Sequence, residues 1–274
     1  MIDRIDPWLT AKALMQRLAQ GLPVAALGVR CSRTGEIARI ARCTGHQAIW
    51  IDMEHSTMPV DTAAMICASA LDLGLVPFIR RPERDFGVIG RVLDGGALGI
   101  IAPRIETVEQ AKDLVAACKF PPLGHRSAIG TLPHVDFRAI PVREFNALMN
   151  SATIVKVLIE SPLGIENVGS IAAVPGVDLV GIGTNDLTAE MGIPGEFRHT
   201  DVRRAHEAAL AACQHHGKPL AIGGIGDAAY AAELIRMGAA PFLFTGIDTD
   251  LLLGAARDRI RQTLTANGAE FLNQ

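Results

Sequence analysis

The chain has 274 residues, 49% of them hydrophobic and 20% charged, with a formal net charge of −3. That length accommodates one large core. A near-neutral balance without a basic stripe, and only 4% aromatic residues, argue against a nucleic-acid surface. The first residues, Met1 to Trp8, lack the apolar core of a signal peptide, and no apolar run reaches the ~20 residues of a membrane span. Five cysteines, an odd number with no CxxC pair, read as reduced thiols of a cytoplasmic protein.

Hydrophobic periodicity predicts a first helix over 8–19. Eight apolar strands follow, over 23–29, 48–53, 76–79, 98–102, 153–159, 178–183, 219–222 and 241–244. Amphipathic helices fall between them at 62–73, 86–93, 108–118, 165–173, 202–216 and 228–237, and a last helix over 249–264 carries Leu251, Leu252, Leu253, Ile260 and Leu264. Strands alternating with helices imply βαβ units and a parallel sheet. Eight such units predict one closed (β/α)8 barrel domain over 1–274. The longest interruption, 119–150, is rich in proline and glycine and reads as a long loop.

Two apolar runs end in acids: Val155-Lys-Val-Leu-Ile-Glu160 and Val177-Asp-Leu-Val-Gly-Ile-Gly-Thr-Asn-Asp186. A carboxylate at the tip of a buried strand needs compensation. Two of them on successive strands suggest a shared divalent cation with oxygen ligands, although either acid alone could simply cap a helix. In a parallel barrel the reactive groups lie at the C-terminal strand ends. Asp52, Glu54 and His55 end the second strand, and Arg80 and Arg81 the third. Arg104 follows the fourth, Glu160 ends the fifth, and Asn185 and Asp186 the sixth. Gly223 and Gly224 end the seventh, and Asp248 the eighth.

This set describes enolate chemistry on a 2-keto acid. Glu160 and Asp186 are the candidate metal ligands. Arg80 is the candidate for stabilising the enolate oxygen. His55 is the candidate general base, with Asp52 or Asp94 orienting its ring. Arg80, Glu54 and the segment Gly183-Thr184-Asn185 are the candidates for binding substrate. Two alternatives compete on the same residues. Lys156 could form a Schiff base, and Gly223-Gly-Ile-Gly226 could cradle a phosphate.

Six segments, in order, carry a resemblance: Ile51-Asp-Met-Glu-His55, Pro77-Phe-Ile-Arg80, Val92-Leu-Asp-Gly-Gly-Ala97, Phe120-Pro-Pro-Leu-Gly-His-Arg-Ser127, Leu158-Ile-Glu160 and Gly183-Thr-Asn-Asp-Leu187. Over roughly residues 20–260 the chain resembles the HpcH/HpaI aldolase/citrate lyase family, and within it the class II pyruvate aldolases of the 4-hydroxy-2-oxoheptanedioate aldolase kind. The resemblance implies a barrel of the phosphoenolpyruvate/pyruvate superfamily, dependent on Mg²⁺, Mn²⁺ or Co²⁺. The implied reaction is reversible cleavage of a 4-hydroxy-2-keto acid to pyruvate and an aldehyde. It also implies catalytic roles for Asp52, His55, Arg80 and Asp94, metal ligation by Glu160 and Asp186, and a hexamer of dimers exchanging the last helix. A related lyase acting on a CoA thioester or phosphoenolpyruvate is the alternative. Leu158 stands where the family usually has Gln, Thr184-Asn185 where it commonly has Pro-Ala, and Arg81 where it often has Pro, adding positive charge beside the site.

Overall fold

Helix α1 (Pro7–Ala19) precedes eight parallel strands in the computed structural model, which describes residues 6–268. The strands are β1 (Val24–Val29), β2 (Ala48–Asp52), β3 (Val76–Arg80), β4 (Gly99–Ala102), β5 (Ile154–Ile159), β6 (Leu179–Gly183), β7 (Leu220–Gly223) and β8 (Phe242–Ile247). The connecting helices are α2 (Glu36–Cys43), α3 (Val60–Asp72), α4 (Gly87–Asp94), α5 (Val108–Cys118), α6 (Val142–Ala152), α7 (Pro162–Ala172), α8 (Thr184–Glu190), α9 (Thr200–His215) and α10 (Ala228–Arg236). Helix α11 (Asp248–Ala266) follows β8.

The predicted strands therefore stand within a few residues of the observed ones. Three helices were not anticipated. Helices α2 and α8 are short. Helix α6 lies inside the segment read as a loop, where Pro141 immediately precedes its first turn, an ordinary helix-start position for proline-flanked chains.

The strand order is β7-β6-β5-β4-β3-β2-β1-β8, so each strand pairs with its sequence neighbour and β8 returns to β1. This is a nearly closed barrel. No ladder joins β7 to β8 among the described residues, but Ala240 N–H donates to the Leu220 carbonyl at 2.7 Å across that seam.

Side chains alternate along each strand. The inward set, including Trp50, Val76, Phe78, Ile101, Ile154 and Phe242, packs together with Ala11, Leu14 and Leu18 of α1, which covers one end of the barrel. The outward set, including Ile49, Ile79, Ile100, Val155, Val157 and Ile182, forms a larger cluster with the surrounding helices. Gly99 is required by this packing, since a Cβ there would stand 2.2 Å from the Phe78 ring.

Helix α11 behaves differently. Only its first residue, Asp248, is buried, and Leu251, Leu252, Leu253 and Ile260 are all about half exposed. No helix among the described residues is long and apolar enough to cross a membrane.

Candidate active site

The C-terminal ends of the strands surround a cavity of about 700 Å³. Arg30, His55, Arg80, Lys156, Glu160, Asn185, Asp186 and Asp250 supply its polar lining, and Trp50, Ile101, Leu158 and Phe244 are among its apolar groups.

Asp52, at the end of β2, is fully buried. Its carboxylate accepts from Arg80 twice, Nε to Oδ1 at 3.0 Å and Nη2 to Oδ2 at 2.8 Å. Arg30 Nη2 lies 3.2 Å from Oδ2, and the Glu54 and His55 amides each donate to Oδ1 at 3.1 Å. Burial alone would raise the Asp52 carboxyl, but the Arg80 bonds and charge outweigh it and hold the group below its ordinary range. Arg80 is further fixed by Glu54, at 3.2 Å, and by the face of Trp50, 5.1 Å from the ring centre.

His55 lies just beyond β2, with a side chain 58% exposed and Nε2 3.6 Å from Glu54 Oε2. Neither expected orienting partner meets its ring. The Asp52 carboxylate is taken up by arginines and by backbone amides, including that of His55 itself. Asp94, at the end of α4, instead accepts from Arg126 Nη2 at 2.6 Å. Glu54 is the nearest acid, and its own carboxyl is raised by burial, against the opposing charge of Arg80.

Glu160 follows β5 and is 4% exposed. It accepts from the Arg104 amide at 2.9 Å, and Arg104 adopts a left-handed φ of 52° there, an uncommon backbone for a residue with a side chain. Burial raises the Glu160 carboxyl to about 7, with Asp186 and Glu54 adding to the rise against the Arg104 bond. Gly183 is needed beside it, because a Cβ would fall 2.4 Å from Glu160 Oε1.

Asp186 lies in the first turn of α8, half exposed, 3.8 Å from Arg104 Nη2. The first amides of a helix have no acceptor within it, so Thr184, Asn185 and Asp186 bring free donors to the same rim. Gly224 has a left-handed φ of 73°, and a Cβ there would stand 3.0 Å from the Asn185 amide nitrogen and 3.2 Å from that of Thr184, so a side chain would crowd these amides. Thr184 is fully buried, with its hydroxyl 3.3 Å from His206 Nε2, and His206 Nδ1 is 3.3 Å from the Tyr230 hydroxyl.

An acid raised chiefly by burial, with two neighbouring acids adding to the rise, suits a divalent cation, which would compensate the buried charge and relieve the repulsion. Among the described residues no three His, Cys, Asp or Glu side chains converge closely enough to enclose an ion by themselves. Two carboxylates completed by substrate oxygens and water is the arrangement a magnesium-type ion accepts.

Arg81 is not beside the site as expected. It is 1% exposed, stacked 4.8 Å from the Phe86 ring centre, and lies outside the cavity lining. Sequence reasoning missed Arg30 and Asp250 as cavity residues. Arg30 follows β1 directly, a strand-end position that should have been read like the others. Lys156, weighed from the sequence only as a Schiff-base candidate, lies on β5 with the same inward parity as Glu160, four residues on, and lines the cavity.

The family model described as HpcH/HpaI aldolase/citrate lyase matches residues 31–255. A 4-hydroxy-4-methyl-2-oxoglutarate aldolase of Chaetomium globosum is 36% identical over 263 residues, covering 95% of this chain and 98% of the relative. A 2-keto-3-deoxy-L-rhamnonate aldolase of Salmonella paratyphi A is 32% identical, covering 84% and 85%. The crystal structure of an HpcH/HpaI aldolase from Desulfitobacterium hafniense superposes with a TM-score of 0.84 at 27% identity, covering 91% of this chain and 96% of that one.

Proposed function

The chain belongs to the HpcH/HpaI aldolase/citrate lyase family, and from that premise we propose that it is a class II aldolase, a carbon–carbon lyase that cleaves a 4-hydroxy-2-keto acid to pyruvate and a carbonyl fragment. The observation that carries this reading is the shared cavity of Glu160, Asp186, Arg80 and His55 at the strand ends.

Glu160 and Asp186 would hold a divalent cation, Mg²⁺, Mn²⁺ or Co²⁺. When bound, that cation supplies Lewis acidity at the C2 carbonyl of the keto acid. The amides of Thr184 to Asp186 receive the carboxylate. Arg80, clamped by Asp52 and Glu54, presents a fixed cation to the developing enolate oxygen with little reorganisation. His55 removes the proton of the C4 hydroxyl. The C3–C4 bond then breaks, its electron pair passes to the enolate, and the carbonyl fragment leaves. His55 returns its proton to C3, giving pyruvate.

The described residues form this one barrel, with its strand ends converging on the cavity. The half-exposed leucines of α11 support a homo-oligomer in which that helix docks on another copy, a hexamer of dimers being the form the family resemblance implies. The assay is pyruvate release from a 4-hydroxy-2-keto acid. Cleavage should stop with chelator and return with added Mg²⁺ or Mn²⁺; cleavage indifferent to chelator would refute the metal role.

A further inference from the structure

Lys156 is the anomaly inside the barrel. It is 1% exposed in the middle of β5, on the same inward face as Leu158 and Glu160, and it lines the cavity below them. Its neighbours in register are Ile101 on β4 and Leu179 on β6, both apolar. The side chain crosses the barrel past Gly181, where a Cβ would stand 2.8 Å from Lys156 Cε. Its ammonium ends 4.6 Å from the ring centre of Phe242 and 4.5 Å from that of Phe244 on β8.

The other cations of this cavity are satisfied. Arg30 bonds Asp52, Arg80 bonds Asp52 and Glu54, and His55 faces Glu54. Among the described residues Lys156 has no hydrogen-bond acceptor and no ion-pair partner. The ammonium opens on the cavity, but a charge on a side chain only 1% exposed is costly without a protein acceptor, and two aromatic faces offset only part of that cost. Burial accordingly lowers the amine to about 7, and Arg80 adds to the fall against the pull of Glu160. A methionine would fill the same space at lower cost. Such a charge is retained when a ligand supplies the missing acceptor.

Pyruvate held at the rim, as the proposed function has it, would leave Lys156 unengaged. One inward-facing step, occupied by Leu158, separates it from Glu160, and the cavity is far larger than three carbons need. We propose that Lys156 is a specificity-determining residue that receives the second carboxylate of a 2-oxo diacid, so that the preferred substrates carry an acid group on the half that does not become pyruvate. Leu158 and Ile101 line the apolar stretch between the two acid ends.

This inference rests on the aldolase reading, and one comparison separates their failures. With Mg²⁺ present, pyruvate release is measured from 4-hydroxy-2-oxoglutarate and from 4-hydroxy-2-oxopentanoate, which differ by a carboxylate against a methyl group. The wild type should favour the diacid at least roughly tenfold in kcat/KM, as expected of a charge-assisted contact, and Lys156→Met should lower that ratio by a similar factor. Equal use of both substrates by the wild type, or an equal loss of both in the variant, overturns the role of Lys156 and leaves the aldolase reading standing. Cleavage of neither by the wild type overturns the aldolase reading and this inference together. A second measurement needs no turnover. 2-Oxoglutarate should raise the melting temperature of the wild type more than 2-oxobutyrate does, and Lys156→Met should abolish that difference while itself melting higher than the wild type without ligand. A variant that melts lower, with the ligand difference intact, assigns Lys156 to packing and refutes the proposal.

Discussion

Arg80 grips Asp52 with two parallel hydrogen bonds, at 3.0 and 2.8 Å, between the last residues of adjacent strands. The pairing follows from register: Asp52 and Arg80 are direct partners across the β2–β3 ladder, so both side chains rise on the same face. A planar guanidinium matches a carboxylate in this fork geometry, and the remaining nitrogen, Nη1, lies 3.2 Å from Glu54 Oε2, so the group is held from both sides where it lines the cavity.

Replacing Arg80 by lysine should therefore cost at least roughly tenfold in kcat, since a point charge cannot hold Asp52 and serve the enolate oxygen together. Steady-state kinetics of Arg80→Lys and Arg81→Ala decide the assignment. Wild-type turnover in the first with a large loss in the second would transfer the role to Arg81.

Removing the base should act on turnover more than on binding. His55→Ala is expected to lower kcat by about 10²–10⁴ while pyruvate affinity changes little. The check is exchange of pyruvate methyl protons in deuterated solvent, which should slow in parallel. Unchanged exchange would mean that another group moves the C3 proton.

The cation should depend on the buried acid. Glu160→Gln keeps the size and the Arg104 contact but removes the charge, so Mn²⁺ binding measured by calorimetry should weaken at least about tenfold, the span expected when a single charged contact is lost. Retained Mn²⁺ affinity in this variant would remove Glu160 from the ligand set.

Asp248 offers a test by pH. Burial would raise its carboxyl, but the Ser32 hydroxyl and the amides of Arg30, Cys31 and Ser32 outweigh burial and hold it at about 2. A carboxyl lowered on folding stabilises the protein above its unfolded range, and that contribution fades as pH falls through the folded value. Asp248→Asn should therefore destabilise by about 1–2 kcal/mol at pH 7. The difference should shrink between pH 4 and pH 2, as read from urea midpoints. A constant difference across that range would show that the contribution is not ionic.

Assembly is tested by light scattering at micromolar concentration. A multimer is expected, and truncation before Asp250 should reduce its mass. A stable, fully active 29 kDa monomer would refute the oligomer.

The sequence by itself determined the barrel and most of the charged groups at its rim, though not Arg30, and it misplaced Arg81. Each buried strand is a short Val/Ile/Leu run, a signal that depends only on local composition. The acids and arginines stand out because charge at the end of such a run is costly without a partner. Glu160, Asp186, Arg80 and His55 were legible for that reason, and the structure places them around one cavity. Helix α6 was not legible, because the prolines and glycines around it read as loop and only its first turn is marked. Pairing was not legible either. Asp94 bonds Arg126 rather than His55, and Arg81 turns under Phe86 rather than toward the cavity. Those outcomes depend on which side chains meet across segments far apart in the chain. Lys156 shows the difference most clearly. In sequence it is one lysine in a strand; only the closing of β8 against β1 brings Phe242 and Phe244 across the barrel to its ammonium. Local periodicity sets which face a side chain occupies, while long-range closure decides what it finds there.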